Sequence, residues 1–457
     1  MSSAASRQVV IAGAGIAGLT AALAFAAKGF SVHVFDRVPR LQEAGAGLQL
    51  SPNATRLLDL LGVIALLKPV AVEPAAVVLR DGGSFAELAR IPLGATARER
   101  WGAPYLVAHR ADLQSALLAR VGREADISLT LDAPVRDAAL HARGVTVSVD
   151  IGGRPHEFPC RLLVGADGVH SAVRALGGRS ADATFAGEIA WRATVAADSP
   201  AGRPFASRSP REISACLQPG FHLIAYPLRA GQTVNIVAFT HGDSPDGAHP
   251  PSDAALKRAL ARCATPLRQL LENTPAWASW PIYRVDTRPR WTAPQGVALI
   301  GDAAHAMTPY AAQGAAMAIE DAVTLADAVA RSRDDLSDAL SAWERERRAR
   351  VAKARRRASL NRLAWHAAGP VALARNLVLK LRGGESLAAD LDWLYGWRGN
   401  GERGTPARCC RQPSVPPSPF PAFLLVQCNI CDRNSFVRSC CGWSKNSTGV
   451  FCSTIWP

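Results

Sequence analysis

The chain has 457 residues and a formal charge of +14, from 52 Lys and Arg against 38 Asp and Glu. Its 48% apolar and 20% charged residues exclude global disorder and supply core material for two ordinary domains. A chain this basic suits nucleic acid, anionic lipid or an anionic small molecule, but its basic residues are scattered without interleaved aromatics, which argues against nucleic acid.

In chain order, Gln8 to Ala12 reads as a short buried strand, and Leu19 to Lys28 as an Ala/Leu-rich helix stopped by Gly29. Ser31 to Phe35 reads as a second strand, so the chain opens on a βαβ unit. The apolar run Val9 to Ala27 contains three spaced glycines and no convincing cleavage site, so it is read as strand, turn and helix rather than a membrane span or leader. No other segment is apolar for long enough to span a bilayer, and the expected location is cytoplasmic. Asn53 to Leu60 and Arg110 to Val121 carry helical periodicity. Ile127 to Leu131, Val145 to Val149, Ile213 to Leu217, His222 to Tyr226 and Val234 to Phe239 read as strands. Val297 to Ile300 is a further buried strand. Helices are expected from Ala315 to Arg331 and from Leu336 to Ala367. The run WERERRARVAKARRRASLNRLAWH, within the second of these, is read as a solvated basic face.

The fold class expected is α/β, a Rossmann-like dinucleotide-binding domain with an inserted β-sheet substrate domain and C-terminal helices. The boundaries place the binding domain at residues 1–183 and 285–335, the sheet domain at 184–284 and a helical segment at 336–398. Residues 399–457 are rich in Pro, Gly, Ser and Cys and read as a disordered tail. Seven of the ten cysteines fall there, against Cys160, Cys216 and Cys263 in the body, which reads as a reduced protein. Cys428 and Cys431 have metal-ligand spacing but no matching second half, so no metal site is expected.

Three motifs carry chemistry. Gly13-x-Gly15-x-x-Gly18 lies between a strand and a helix, with Asp36 at the end of the next strand. Gly13 permits the tight turn, Gly15 admits a pyrophosphate to backbone amides, and Gly18 lets helix and sheet approach. Asp36 is placed for the adenosine ribose. Asp167, in the run LLVGADGVHSAVR, follows a buried strand and is read as a cofactor contact. Asp302, in GVALIGDAAHAM, follows another, and the loop TPYAAQG then opens a helix at Gly314, Ala315 and Ala316. A carboxylate at Asp302 suits a ribityl hydroxyl, and the helix N-terminus suits an electron-rich flavin carbonyl. Each Asp taken alone could equally cap a strand-to-loop turn.

Together, and in this order, the three motifs resemble the fingerprints of class A flavoprotein monooxygenases. The resemblance runs from about residue 7 to Trp397 and is strongest toward the salicylate hydroxylase and 3-hydroxybenzoate 6-hydroxylase branch. It implies FAD as cofactor and NAD(P)H as co-substrate, with O2 activated as a flavin hydroperoxide that hydroxylates a small phenolic or aromatic carboxylic acid. It also implies FAD contacts from Arg37, Gly47 and Arg110 and a backbone contact near Val135. His222, Tyr226 and Gln313 match residues that contact the phenol in that branch. His222 and Tyr226, four apart on a strand, share a face, and His is the usual general base. His305, beside Asp302, is read as structural. The resemblance implies a monomer or homodimer, with no nucleic-acid or membrane partner. Two other readings stay open: a related flavoenzyme that epoxidises or halogenates, and a flavin-binding sensor without catalysis.

Overall fold

A computed structural model describes residues 7–41, 47–142, 144–176, 182–206, 211–243, 251–332 and 335–399. The Cys-rich tail lies outside the described residues, and so does the Cys428/Cys431 pair. Cys160, Cys216 and Cys263 are buried thiols without a disulfide.

The dinucleotide-binding layer is a six-stranded sheet. Its order is Thr292–Ala293, Val297–Leu299, Leu162–Gly165, Gln8–Ala12, Ser31–Phe35 and Ile127–Thr130. All pairings are parallel except that of the edge strand Thr292–Ala293. Parallel strands buried on both faces need continuous apolar runs, and Val9, Val10 and Ile11 are fully buried accordingly. The helices Ile16–Ala26 and Gly314–Arg331 pack against each other over this sheet.

The second layer is a seven-stranded sheet. It runs Ala278–Arg284, Thr184–Ala196, Thr233–His241, Phe221–Leu228, Glu212–Gln218, Ala76–Asp81 and Glu87–Pro92. Five of these strands fall in 184–284; the other two come from 76–92, ahead of the insertion. The segment AVVLRD does not alternate clearly in sequence; pairing with Glu212–Gln218 makes it a strand. Alternation sorts the two faces of this sheet. Leu223, Ala225, Ile236 and Ala238 pack into one apolar cluster, whereas His222, Ile224 and Tyr226 look the other way, toward the dinucleotide layer.

The Leu336–Trp365 helix departs from its expected solvated face. Arg347 and Arg350 point inward and are buried. Arg347 donates to Asp321 Oδ1 at 2.7 Å and Glu320 Oε2 at 2.8 Å, and Arg350 donates to Glu320 Oε1 at 2.9 Å. Buried carboxylates on the neighbouring helix need cations, and a basic run cannot reveal by itself which of its members supply them. Among the described residues no helix is long and apolar enough to cross a membrane.

Candidate active site

The glycine motif forms the cradle its spacing predicts. Gly13 has φ +102°, and a Cβ there would meet the Ala166 carbonyl oxygen at 2.5 Å. A Cβ on Gly18 would lie 1.8 Å from the Gly13 oxygen, so this close approach of helix and loop requires glycine. A Cβ on Gly15 would meet nothing within 4 Å. Gly15 is also the N-cap of the Ile16–Ala26 helix and gives it no side-chain cap, so the first amides of that helix face open space. Asp36 accepts hydrogen bonds from Ala14 N at 2.6 Å and Val38 N at 3.0 Å, which brings its carboxylate to the same loop. Arg37 beside it is exposed. Val135 opens a strand whose preceding residue pair is tied back here, with Ala133 N donating to the Asp36 carbonyl at 2.8 Å.

The two acidic motifs part company. Asp167 accepts from Ser171 Oγ at 2.5 Å and from Val173 N at 3.1 Å, so its carboxylate caps a turn while its backbone buttresses Gly13. The turn-capping reading of that segment is therefore the one its side chain follows. Asp302 is exposed at the start of the short Asp302–His305 helix, after Gly301 at φ +59°. Arg174 links the two motifs by donating to the Ala303 and Val169 carbonyls.

The helix Gly314–Arg331 begins without a side-chain cap, and a Cβ at Gly314 would again meet open space. The amides of Gly314, Ala315 and Ala316 lie ahead of the first intrahelical bond, Met317 N to the Gln313 carbonyl. Two uncapped helix N-termini, each fronted by a glycine with empty space before it, fit a diphosphate and a flavin carbonyl. The residues present thus fit FAD.

Gln313 is engaged by side chains from far along the chain. Its Nε2 donates to Ser51 Oγ at 2.9 Å and its Oε1 accepts from Asn53 Nδ2 at 3.3 Å. Asn53 also donates to Glu320 at 2.7 Å. Both ends of the Gln313 carboxamide are therefore engaged in a buried network that fixes the start of the helix. Sequence alone offers no sign of this, because Ser51 and Asn53 lie 262 and 260 residues away. His305 is buried against Asp321, at 2.5 Å, with the Trp291 ring tilted beside it at 5.2 Å between ring centres. Burial would raise the Asp321 carboxyl, but His305 and Arg347 hold it down at about 2.

The sheet face opposite the flavin loop gathers the remaining polar groups. His222 is 1% exposed, stacks on Phe239 with ring centres 4.4 Å apart, and has Tyr310 and Trp365 beside it. Its Nδ1 lies 2.9 Å from His366 Nε2. Burial, with the neighbouring His366 adding to it, keeps the His222 imidazole well below its ordinary pKa, so it is neutral at pH 7. Burial likewise pulls His366 down to about 4. Tyr226 is buried, which pushes its hydroxyl up and keeps it protonated. Gly47, paired with His109 on a two-stranded ribbon, donates its amide to Asn235 Oδ1 at 2.8 Å. A Cβ on Gly47 would come within 2.7 Å of the Tyr226 hydroxyl, so glycine here lets the ribbon lie directly on Tyr226.

One residue of this face escapes a sequence reading. Arg192 shares its side of the sheet with Val237, its register partner, and its guanidinium lies 4.9 Å from the centre of the Trp280 ring. Its Nε is buried without a hydrogen-bond partner. Burial lowers its pKa, the nearby Arg110 lowers it further, and Tyr226 opposes the shift. Arg110 itself is exposed, the first residue of its helix. A lone Arg in WRATVA carries no sequence signal, since only pairing of distant strands sets it beside Tyr226.

A family model described as an FAD binding domain matches residues 6–358. The chain belongs to the class A FAD-dependent aromatic monooxygenases. It is 34% identical over 393 residues to 3-hydroxybenzoate 6-hydroxylase of Polaromonas naphthalenivorans, covering 85% of this chain and 96% of that protein. It is 33% identical over 396 residues to 3-amino-4-hydroxybenzoate 2-monooxygenase of Streptomyces cremeus, covering 85% and 95%. Klebsiella pneumoniae HpxO, solved with FAD and uric acid, superposes with a TM-score of 0.72 at 26% identity, covering 84% of this monooxygenase and 95% of that chain. FAD is thus the cofactor of this monooxygenase.

Proposed function

We propose that the protein hydroxylates a small phenolic carboxylic acid, as the names of the hydroxybenzoate relatives suggest. Those names favour ring hydroxylation over epoxidation, halogenation or a sensor role. Reduced by NAD(P)H, bound FAD supplies the activated oxygen. The observation that carries the reading is the grouping of one cation, one neutral imidazole and one protonated phenol on a single apolar sheet face. Arg192, with a buried and unpartnered Nε, meets the carboxylate of the substrate; a guanidinium pairs with carboxylate through its planar fork. Tyr226 donates to the phenolic oxygen. His222, neutral at pH 7, accepts the phenolic proton through Nε2 as its own Nδ1 proton passes to half-buried His366 and from there to solvent. Ile224, Val237 and Phe239 line the same face and keep water from the reacting ring. Asp36, the amides after Gly15, Asp302 and the amides of Gly314 to Ala316 hold the cofactor, with Arg37, Gly47, Arg110 and Val135 bordering it. Gln313 supports the last of these from behind.

The test is NADH and NADPH oxidation by the purified yellow protein, with and without a panel of hydroxybenzoates, products being identified by chromatography. Substrate-stimulated oxidation with a hydroxylated product is expected, and His222→Ala should lower kcat by about 100-fold or more. Oxidation that no phenolic acid stimulates would overturn the reading, and wild-type turnover by His222→Ala would remove the base.

A further inference from the structure

Asn235 breaks the apolar run of the Thr233–His241 strand, and it is 0% exposed. Asparagine is depleted in strands, and a buried carboxamide costs free energy unless its groups are bonded. Only half of this one is. Oδ1 accepts the Gly47 amide at 2.8 Å, which fixes which way round the carboxamide lies. Nδ2, on the other arm, is buried and has no hydrogen-bond partner among the described residues. An amide NH2 has two protons to donate and accepts nothing, so it calls for an acceptor.

The place of this donor says which acceptor suits it. Asn235 is the register partner of Tyr226, so the two side chains stand opposite each other on the face that also carries His222. Both also border one point: a Cβ on Gly47 would lie 2.7 Å from the Tyr226 hydroxyl and 2.8 Å from Asn235 Cγ. Arg192 stands further along the sheet, paired with Val237 rather than with Asn235. On the functional reading above, on which this inference rests, Arg192 takes the substrate carboxylate and Tyr226 the phenolic oxygen. That oxygen keeps lone pairs for a second donor, and gains another when its proton leaves. We propose that Asn235 is a substrate-contacting residue whose Nδ2 donates, beside the Tyr226 hydroxyl, to the phenolic oxygen, so that the pair selects a phenol that ionises in the site. The proton goes to His222 and the electron pair of the O–H bond stays on the oxygen. Asn235 moves no proton; it stabilises the phenolate that it faces.

The test titrates the holoenzyme with two probes. One is 3-hydroxy-4-nitrobenzoate, a coloured phenol whose ionisation is read from its difference spectrum; the other is 4-nitrobenzoate, which has the carboxylate and no phenol. In Asn235→Val the Kd of the phenolic probe should rise about tenfold, and the pH at which the bound phenol ionises by about one pH unit, because a donor to a charged oxygen is lost. Binding of 4-nitrobenzoate should not change, a contrast that a merely structural role would not produce. Asn235→Ala serves the same comparison if the valine variant loses FAD. Equal weakening of both probes, or wild-type ionisation of the bound phenol, would overturn the proposal. A changed flavin reduction potential in the ligand-free variant, with the bound phenol unaltered, would overturn it by assigning Nδ2 to FAD. Tyr226→Phe tells the two levels apart. If it raises the pKa of the bound phenol and Asn235→Val does not, the role of Asn235 alone fails; if neither does, the proposed placing of the phenol fails with it.

Discussion

Replacing Gly15 and Gly18 by Ala, one at a time, separates what the glycine motif does for the fold from what it does for FAD. A Cβ on Gly15 meets no protein atom within 4 Å, and its φ of −73° is open to any residue. The cost to the apoprotein is then that of a poorer N-cap, about 1 kcal/mol. A Cβ on Gly18 lies 1.8 Å from a backbone oxygen, which cannot rotate away. Overpacking of this kind costs about 3 kcal/mol, offset by about 1 kcal/mol of helix propensity. With an unfolding entropy of about 2.1 cal/mol/K per residue over roughly 400 residues, 1 kcal/mol corresponds to about 1 °C in Tm. The apoproteins should therefore melt about 1 °C low for Gly15→Ala and about 2–3 °C low for Gly18→Ala. FAD binding should separate the pair differently. The Gly15 methyl pushes the pyrophosphate off two amides, and losing two charge-assisted hydrogen bonds of about 1.5 kcal/mol each weakens FAD about 100-fold. Calorimetry of the apoproteins and flavin-fluorescence titration read the two effects independently. Wild-type FAD affinity in Gly15→Ala, or an apoprotein destabilised as much as Gly18→Ala, would refute the cradle's role in binding.

Other expectations follow from the buried charges and the sheet face. Arg347→Leu takes the guanidinium from Asp321 and Glu320, leaving Glu320 with Arg350 and Asp321 with the His305 ring. Stability should fall by about 3–5 kcal/mol, or roughly 4–6 °C in thermal melts; an unchanged Tm would show that the network is dispensable. Because burial depresses both His222 and His366, the unfolded chain binds protons more readily than the folded one once the pH drops below about 6.5. Stability should therefore fall as the pH is lowered from about 7 toward about 4, and His222→Asn with His366→Asn should flatten that fall; a wild-type slope in the double variant would sink the assignment. For the same reason the rate should show no ascending limb near the ordinary histidine pKa of about 6.5. Arg192→Leu should raise the Kd of a hydroxybenzoate about 10- to 100-fold while leaving that of the corresponding neutral phenol alone. Equal losses for both ligands would mean that Arg192 shapes the pocket without pairing a carboxylate.

Patterns confined to a few residues are legible in the sequence itself. The βαβ opening, the glycine cradle, Asp36 and the start of the Gly314 helix all rest on turns and amides within a single stretch of chain. His222 and Tyr226 share a face because strand geometry requires it. Legibility ends where partners are far apart. Gln313 reads as a site residue beside the flavin loop, yet Ser51 and Asn53 hold it. Asp167 reads as a ligand, whereas Ser171 and Val173 claim its oxygens, a cap that local spacing allows but does not require.

Local sequence thus determined the cofactor and the order of the layers, because a dinucleotide cradle is built from backbone geometry that a short motif specifies. Tertiary structure alone decided which polar side chains are left to act. Arg192 comes within reach of Tyr226, and His366 within 2.9 Å of His222, only when strands and a helix up to 144 residues apart come together at the sheet. It also decided that Arg347 and Arg350 belong to the core while Leu377 and Leu381 belong to the surface. A helix shows its two sides in its period, but which side finds a partner depends on what the rest of the chain packs against it.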